Sequence, residues 1–449
     1  MLAGCCPMLF SICQKGVYEM QVPDYPTETV LPYTTVPLKL GFGAADEVGY
    51  EAKRLGAKRV LICTDKNLKA TGHPDRIQKI IEKEGMGVEI YDDVHVEPTD
   101  KSIEKAANDL KGNEFDLYVA VGGGSTIDTT KAVSLLITYP APLMEYVNKP
   151  IGHAKPVPGP LKPLLVLPTT SGTGSETTPV SVLDILDIKL KTGISHPLLR
   201  PTMALLDPLL TVSMSPEITA STGMDVLTHA LESYTSLPFD KRKKPDHPSQ
   251  RAAYIGSNII SDIFCAKAIE IVAKYLRRAV ANPYDLEARW HMMVGSTLAG
   301  IGFGNAGVHI PHSMAYPIGG LAPDYKPPGY NVDGFMVPHG QAVAITAPAA
   351  FRFTAPVWPE KHAHAAKLMG LNNKDMSVKE AAMSLSDEVI ELMKDIGFPN
   401  GLSEMGFTEA HIPQIIEGTL KQQRLLVGCP RQVGEKELTQ IAQESMKYW

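Results

Sequence analysis

The chain has 449 residues, enough for two or three domains of common size. With 44% hydrophobic and 20% charged residues, disorder is excluded for the bulk of the chain. A formal charge of −6 gives no electrostatic ground to expect nucleic acid or an anionic membrane as partner. No apolar run approaches the ~20 residues of a bilayer span, so a soluble chain acting on small molecules is expected.

Six cysteines, Cys5, Cys6, Cys13, Cys63, Cys265 and Cys429, show no disulfide spacing, and a reduced, cytoplasmic protein is expected. The opening MLAGCCPMLFSICQKG puts Cys5 where a lipoprotein cleavage box would have it, but no basic or apolar region precedes it. It also lacks arginine, which argues against a mitochondrial transit peptide. Residues 1–35 are therefore read as a tail and the approach to a first strand, with Met20 as an alternative start.

Residues 36–213 alternate short β-branched runs with amphipathic segments. Strands are expected at 59–64, 87–91, 116–121, 163–167 and 203–206, and helices at 102–110 and 126–136. This is the pattern of a parallel α/β sheet covered by helices. Three turns follow strands. Thr64 and Asp65 end the first; Asp65 is either a helix N-cap or an acceptor for a ribose diol. Gly122, Gly123, Gly124 and Ser125, in VAVGGGSTIDTTK, lead from strand to helix. There, backbone amides and a helix N-terminus favour a phosphate, and Asp128 follows within the first turn. Thr169, Thr170 and Thr173, in LPTTSGTGSE, follow another buried strand. Such turns lie at the carboxyl edge of a parallel sheet, where α/β folds bind nucleotides.

Past Ser213 the character changes. SPE at 215–217 is a helix start, and long amphipathic segments at 258–281, 286–303 and 377–396 predict an all-α region over 214–449. Asp225 and His229 lie four apart on one helix face. His312 falls in GVHIPHSMAYP and His339 in VPHG. One carboxylate and three imidazoles suit a divalent metal, while any single buried histidine more simply satisfies a carbonyl. A basic loop at 238–250 reads as solvated surface. A Pro-, Gly- and aromatic-rich loop at 321–335 separates His312 from His339.

GGGSTIDTTKA, PTTSGTGSE, GMDVLTHALESY and VPHG stand in the order seen in iron-containing (group III) alcohol dehydrogenases, and the chain resembles that family from about residue 36 onward. It resembles most the hydroxyacid-oxoacid transhydrogenase branch, through GSNIISDI, GIGFGNAGVHIPHSMAYPI, YNVDGFMVPHG and ESMKYW. The resemblance implies a Rossmann-like dinucleotide-binding domain, an all-α C-terminal domain, and an active site in the cleft between them. It implies NAD and Fe²⁺, or Zn²⁺, as cofactors. Asp225, His229, His312 and His339 become the metal ligands. Gly123, Gly124 and Ser125 meet the pyrophosphate, Asp65 the adenine ribose, and Thr169, Thr170 and Thr173 the ribose and nicotinamide. Many members carry a histidine four residues after the third ligand; here Tyr316 stands there, so Tyr316 or His309 is expected in the proton relay.

The implied chemistry is hydride transfer from 4-hydroxybutyrate to 2-oxoglutarate through bound NAD. The alternative within the class is an alcohol dehydrogenase or aldehyde reductase that releases NADH. A homo-oligomer is expected; Lys326, in the 321–335 loop, either meets a substrate carboxylate or is a solvated surface lysine.

Overall fold

A computed structural model describes residues 26–332 and 334–449; Cys5, Cys6, Cys13 and Met20 lie outside them. Eight strands follow in chain order: β1 (Leu38–Leu40), β2 (Arg59–Cys63), β3 (Gly87–Tyr91), β4 (Leu117–Gly122), β5 (Leu164–Pro168), β6 (Val180–Ile185), β7 (Leu190–Ser195) and β8 (Met203–Leu206). Six form one parallel sheet in the order β1-β8-β5-β4-β2-β3. Successive residues face opposite sides. Val60, Ile62, Val119 and Val121 pack under helices Val48–Arg54 and His73–Lys83. Leu61, Cys63, Tyr118 and Ala120 pack under Asp100–Asp109 and Gly124–Thr138. With both faces covered, β4 and β5 are buried along their whole length and read as unbroken apolar runs.

The direction of winding reverses between β2 and β4, and that reversal opens a crevice at the carboxyl edge. Cys63 pairs with Ala120 and Gly122 with Pro168, so the turns after β2, β4 and β5 emerge side by side.

Two elements lie outside the sequence expectation. β1 has only three residues. β6 and β7 form an antiparallel hairpin whose turn carries Lys189 at φ 48°. A left-handed lysine replaces the Asn-Gly that usually announces such a turn.

After β8, helix Pro216–Thr235 opens the helical region, with Ser215 Oγ accepting from the Ile218 amide at 3.2 Å. It packs with Ile259–Ala281 and Leu286–Ala306 around the largest apolar cluster. Helices Ile310–Leu321 and His339–Ala344 close against it. Among the described residues no helix is long and apolar enough to cross a membrane.

Candidate active site

Asp225 and His229 stand one turn apart on the Pro216–Thr235 helix, His312 lies near the start of Ile310–Leu321, and His339 begins His339–Ala344. One ligand atom each from Asp225, His312 and His339 falls within 4.8 Å of the others. His229 stands beside this trio. Its ring lies flat on Phe303 at 3.9 Å, with Nδ1 3.5 Å from Asp225 Oδ1. Each of these four residues has a buried atom without a hydrogen-bond partner: Asp225 Oδ1, His229 Nδ1, His312 Nε2 and His339 Nδ1. Each such orphan costs about 1–3 kcal/mol, so their convergence calls for a shared ligand. A hard oxygen with three imidazole nitrogens fits a divalent cation.

The charges agree with that fit. Burial works to raise the Asp225 carboxyl, yet the imidazoles of His229, His339 and His312 hold it well below the ordinary carboxylate range. Burial pushes His229 down to about 3 and lowers His339, leaving both with bare lone pairs at neutral pH. At His312 burial opposes the charge, but the Glu232 and Asp225 carboxylates prevail and raise the imidazole to about 9. A metal there displaces a proton.

Three residues absent from the sequence expectation hold this centre in place. Glu232, fully buried, takes the His312 Nδ1–H and accepts from the backbone amides of His309 and His312 at 2.8 and 3.2 Å. The Nδ1 bond turns His312 Nε2 toward Asp225, 3.6 Å away. Glu97, at φ 56°, accepts from the His339 amide at 3.3 Å and donates its own amide to Ser125 Oγ at 3.0 Å. Burial would raise its carboxyl; Lys191 and His339 hold it low. Lys191 on β7 bonds Glu97 at 2.6 Å and Asp184 at 2.9 Å. Glu232 was legible as the third acid or histidine on one helix face. Glu97 and Lys191 carried no local signal.

A cavity of about 270 Å³ is lined by Asp65, residues 123–125, Thr169, Thr170 and Thr173, with Asp225 and His339 on its far wall. Helix Gly124–Thr138 starts from Gly123 without a side-chain cap, so its first amides have no side-chain partner there. The glycine and threonine turns interlock; a Cβ on Gly124 would stand 2.5 Å from Thr173 Cγ2. Packing alone thus demands that glycine. Asp65 is a helix N-cap, its Oδ1 accepting from Leu68 N at 3.0 Å, and it also lines the cavity.

Gly122 and Asp128 do not reach this cavity. Gly122 ends β4, its carbonyl accepting from the Thr169 amide at 3.1 Å. Asp128 is occupied internally, accepting from Ser175 Oγ and, at 3.0 Å, from Val182 N, and it borders a different chamber. That smaller chamber, about 90 Å³, adjoins the larger one, sharing Gly124, Ser125, Thr173 and His339 with it, and is also lined by His229, His312, Phe303, Tyr254 and Tyr316.

Tyr316 therefore faces the metal residues and His309 does not. His309 is fully buried, its Nε2 bonded to Thr235 Oγ1 at 3.2 Å, and burial lowers its imidazole to about 4. The 321–335 loop does reach the cleft, but through Tyr330, Asn331 and Val332. Asn331 exchanges two hydrogen bonds with Asn67, at 3.0 and 3.1 Å. Lys326 is exposed, resting over the Phe335 ring, and lines neither chamber.

Residues 37–208 match the iron-containing alcohol dehydrogenase family, and residues 252–446 its C-terminal region. The chain is 47% identical over 414 residues to the mitochondrial hydroxyacid-oxoacid transhydrogenase of Mus musculus, covering 92% of this chain and 89% of that one. Among solved structures it is similar to a 1,3-propanediol oxidoreductase, with 31% identity, TM-score 0.81, and 93% and 100% of the two chains covered. It is also similar to a sulfoacetaldehyde reductase from Bifidobacterium kashiwanohense in complex with NAD⁺, with 27% identity, TM-score 0.75, and 93% and 99% covered. The cytoplasmic expectation is corrected here: the transhydrogenases of Mus musculus, Homo sapiens and Dictyostelium discoideum are all mitochondrial by name. That expectation drew on an arginine-poor opening segment that lies outside the described residues.

Proposed function

This chain belongs to the iron-containing alcohol dehydrogenase family, and from that premise we propose that it is a metal- and NAD-dependent hydroxyacid-oxoacid transhydrogenase. In this reaction 4-hydroxybutyrate passes a hydride from carbon to NAD⁺ and gives up its hydroxyl proton, becoming succinate semialdehyde. The same NADH then reduces 2-oxoglutarate to 2-hydroxyglutarate, a step that takes up a hydride and a proton in turn. The observation that carries the proposal is the convergence of ligand atoms from Asp225, His312 and His339, with His229 Nδ1 3.5 Å from Asp225 and all four residues holding an unpartnered buried atom, beside a cavity bordered by the two nucleotide-type turns.

When bound, an iron-type divalent ion supplies Lewis acidity toward a substrate oxygen, and NAD supplies the hydride carrier. The protein's own residues do the rest. Glu232 fixes the His312 imidazole, and Glu97 holds the backbone amide of His339. The amides at 123–125 meet the pyrophosphate, Asp65 the adenine ribose, and Thr169, Thr170 and Thr173 the ribose and nicotinamide. Tyr316, four residues beyond His312, contacts substrate in the smaller chamber, whereas His309 is sealed from it. The division near residue 213 separates the nucleotide half from the metal half.

Two features favour transhydrogenation over release of NADH. One is the likeness to the Mus musculus transhydrogenase. The other is the Asn67–Asn331 bridge, which carries the 321–335 loop across the cofactor cavity. The test is to incubate the metal-loaded enzyme with 4-hydroxybutyrate, with and without 2-oxoglutarate, and to follow both products and free NADH. Semialdehyde and 2-hydroxyglutarate formed one to one, without free NADH, is the expected result. Semialdehyde accompanied by equal free NADH, with 2-oxoglutarate untouched, would leave an ordinary dehydrogenase.

A further inference from the structure

The substrates of the proposed reaction are acids, and the smaller chamber needs a cation to receive their carboxylate. Several cations lie on or near its walls. Buried Lys131 is held by Ser175, Thr178 and Val180 of the chamber wall and stands 3.7 Å from Asp128, so it is already matched. Lys191 is buried, but Glu97 and Asp184 already balance its charge at 2.6 and 2.9 Å. Lys326 is exposed on Phe335. Arg424 differs from these three. Half-buried and reaching the chamber only through its wall residues, it sits in the short helix Gln423–Leu426, whose Leu425 lines the chamber, and its Nη2 donates to the Tyr316 hydroxyl at 2.9 Å. Its guanidinium also stands over the Tyr316 ring and faces Tyr254, another residue of the chamber wall. No carboxylate among the described residues pairs with it.

An arginine drawn into a protein wall is ordinarily matched by a carboxylate, because an uncompensated charge there is costly. We infer that Arg424, together with Tyr316, is the carboxylate anchor of the substrate chamber, and that the missing counter-charge is the acid group of the substrate. The inference rests on the transhydrogenase proposal. The Tyr316 ring lies 6.5 Å, centroid to centroid, from that of His339, so Arg424 stands one aromatic side chain away from a residue of the metal cluster. The planar fork of arginine can hold both oxygens of a carboxylate while one nitrogen keeps Tyr316.

The experiment compares 4-hydroxybutyrate with 1-butanol, the same chain without the acid, in wild type, Arg424→Gln and Arg424→Lys. It also measures calorimetric binding of glutarate, a diacid without the reacting hydroxyl. In Arg424→Gln the ratio of kcat/KM for the acid to that for butanol should fall by about 10- to 100-fold, with glutarate binding weakened to a similar degree. Arg424→Lys, which keeps a point charge without the fork, should lie between and carries the test if the glutamine variant does not fold. Metal content and thermal midpoint identify a folded variant. An acid-to-butanol ratio and a glutarate affinity both within twofold of wild type, in a wild type that does couple the two acids, would overturn Arg424 as the anchor while leaving the parent reaction intact. A wild type with no preference for 4-hydroxybutyrate over butanol would overturn both, and that result is read before any variant is made.

Discussion

Asp225, His229 and Glu232 leave one face of the Pro216–Thr235 helix at intervals of four and three residues. In the proposed centre the first two would present donors to the metal; the third accepts the His312 Nδ1–H. Replacing Glu232 by Gln keeps an acceptor for the two backbone amides but loses the charge that fixes the imidazole. Metal affinity should fall about 10- to 100-fold, read as metal content after dialysis against graded chelator, with the fold retained. Equal metal retention in wild type and variant would remove Glu232 from this role. The proton on His312 gives a second expectation. Its value near 9 in the metal-free protein, against an ordinary 6.5, means the native state holds more protons than the unfolded state between those limits. The stabilisation it provides is fully present below about 6.5 and is lost as pH rises through about 9. The thermal midpoint of metal-free protein should therefore decline over that interval. Metal-loaded protein, in which the cation has displaced the proton, should not share the decline; a parallel decline would exclude proton displacement at His312.

Single elements explain why these side chains meet. Helix His339–Ala344 approaches Pro216–Thr235 so closely that a Cβ on Gly340 would lie 2.7 Å from the Ser221 carbonyl carbon. Backbone cannot retreat as a flexible side chain can, so Gly340→Ala should push His339 away from Asp225. The expected outcome is loss of most bound metal, together with destabilisation of about 1–3 kcal/mol for an overpacked site, measured by metal analysis and denaturant titration. Full metal content would show that the two helices part without disturbing the centre. The β6–β7 hairpin works in the same manner from the other side, since β7 carries Lys191, which holds Glu97, which in turn holds the His339 amide.

For the whole molecule, the cleft belongs to both halves, and the 321–335 loop returns from the helical half to touch the sheet half at Asn67. Asn67→Ala removes the side chain that makes both hydrogen bonds to Asn331. If that bridge keeps NADH bound between half-reactions, the variant should leak free NADH during 4-hydroxybutyrate oxidation and should demand added NAD, while its metal content stays at the wild-type level. Stopped-flow fluorescence of released NADH is the measurement. Release at the wild-type rate would make the bridge incidental.

The sequence by itself determined the sheet strands that are buried on both faces, the start of the first helix of the helical region, and the family. Each is written in contiguous residues, as apolar runs, as a Ser-Pro-Glu helix start, or as ordered motifs. Through the ordered motifs of the family it resembles, it also pointed to Asp225, His229, His312, His339 and the two glycine- and threonine-bearing turns as the expected site; only the Asp225–His229 interval was a signal of spacing. Only the tertiary structure decided which neighbours serve them. Glu97 is 242 residues from the His339 amide it holds, and Arg424 is 108 residues from Tyr316. It also moved His309 behind Glu232, turned Asp128 inward to Ser175, and left Lys326 in solvent. A side chain's local sequence fixes which face of an element it leaves from; what that face meets depends on packing between segments far apart in the chain, and no local pattern records it.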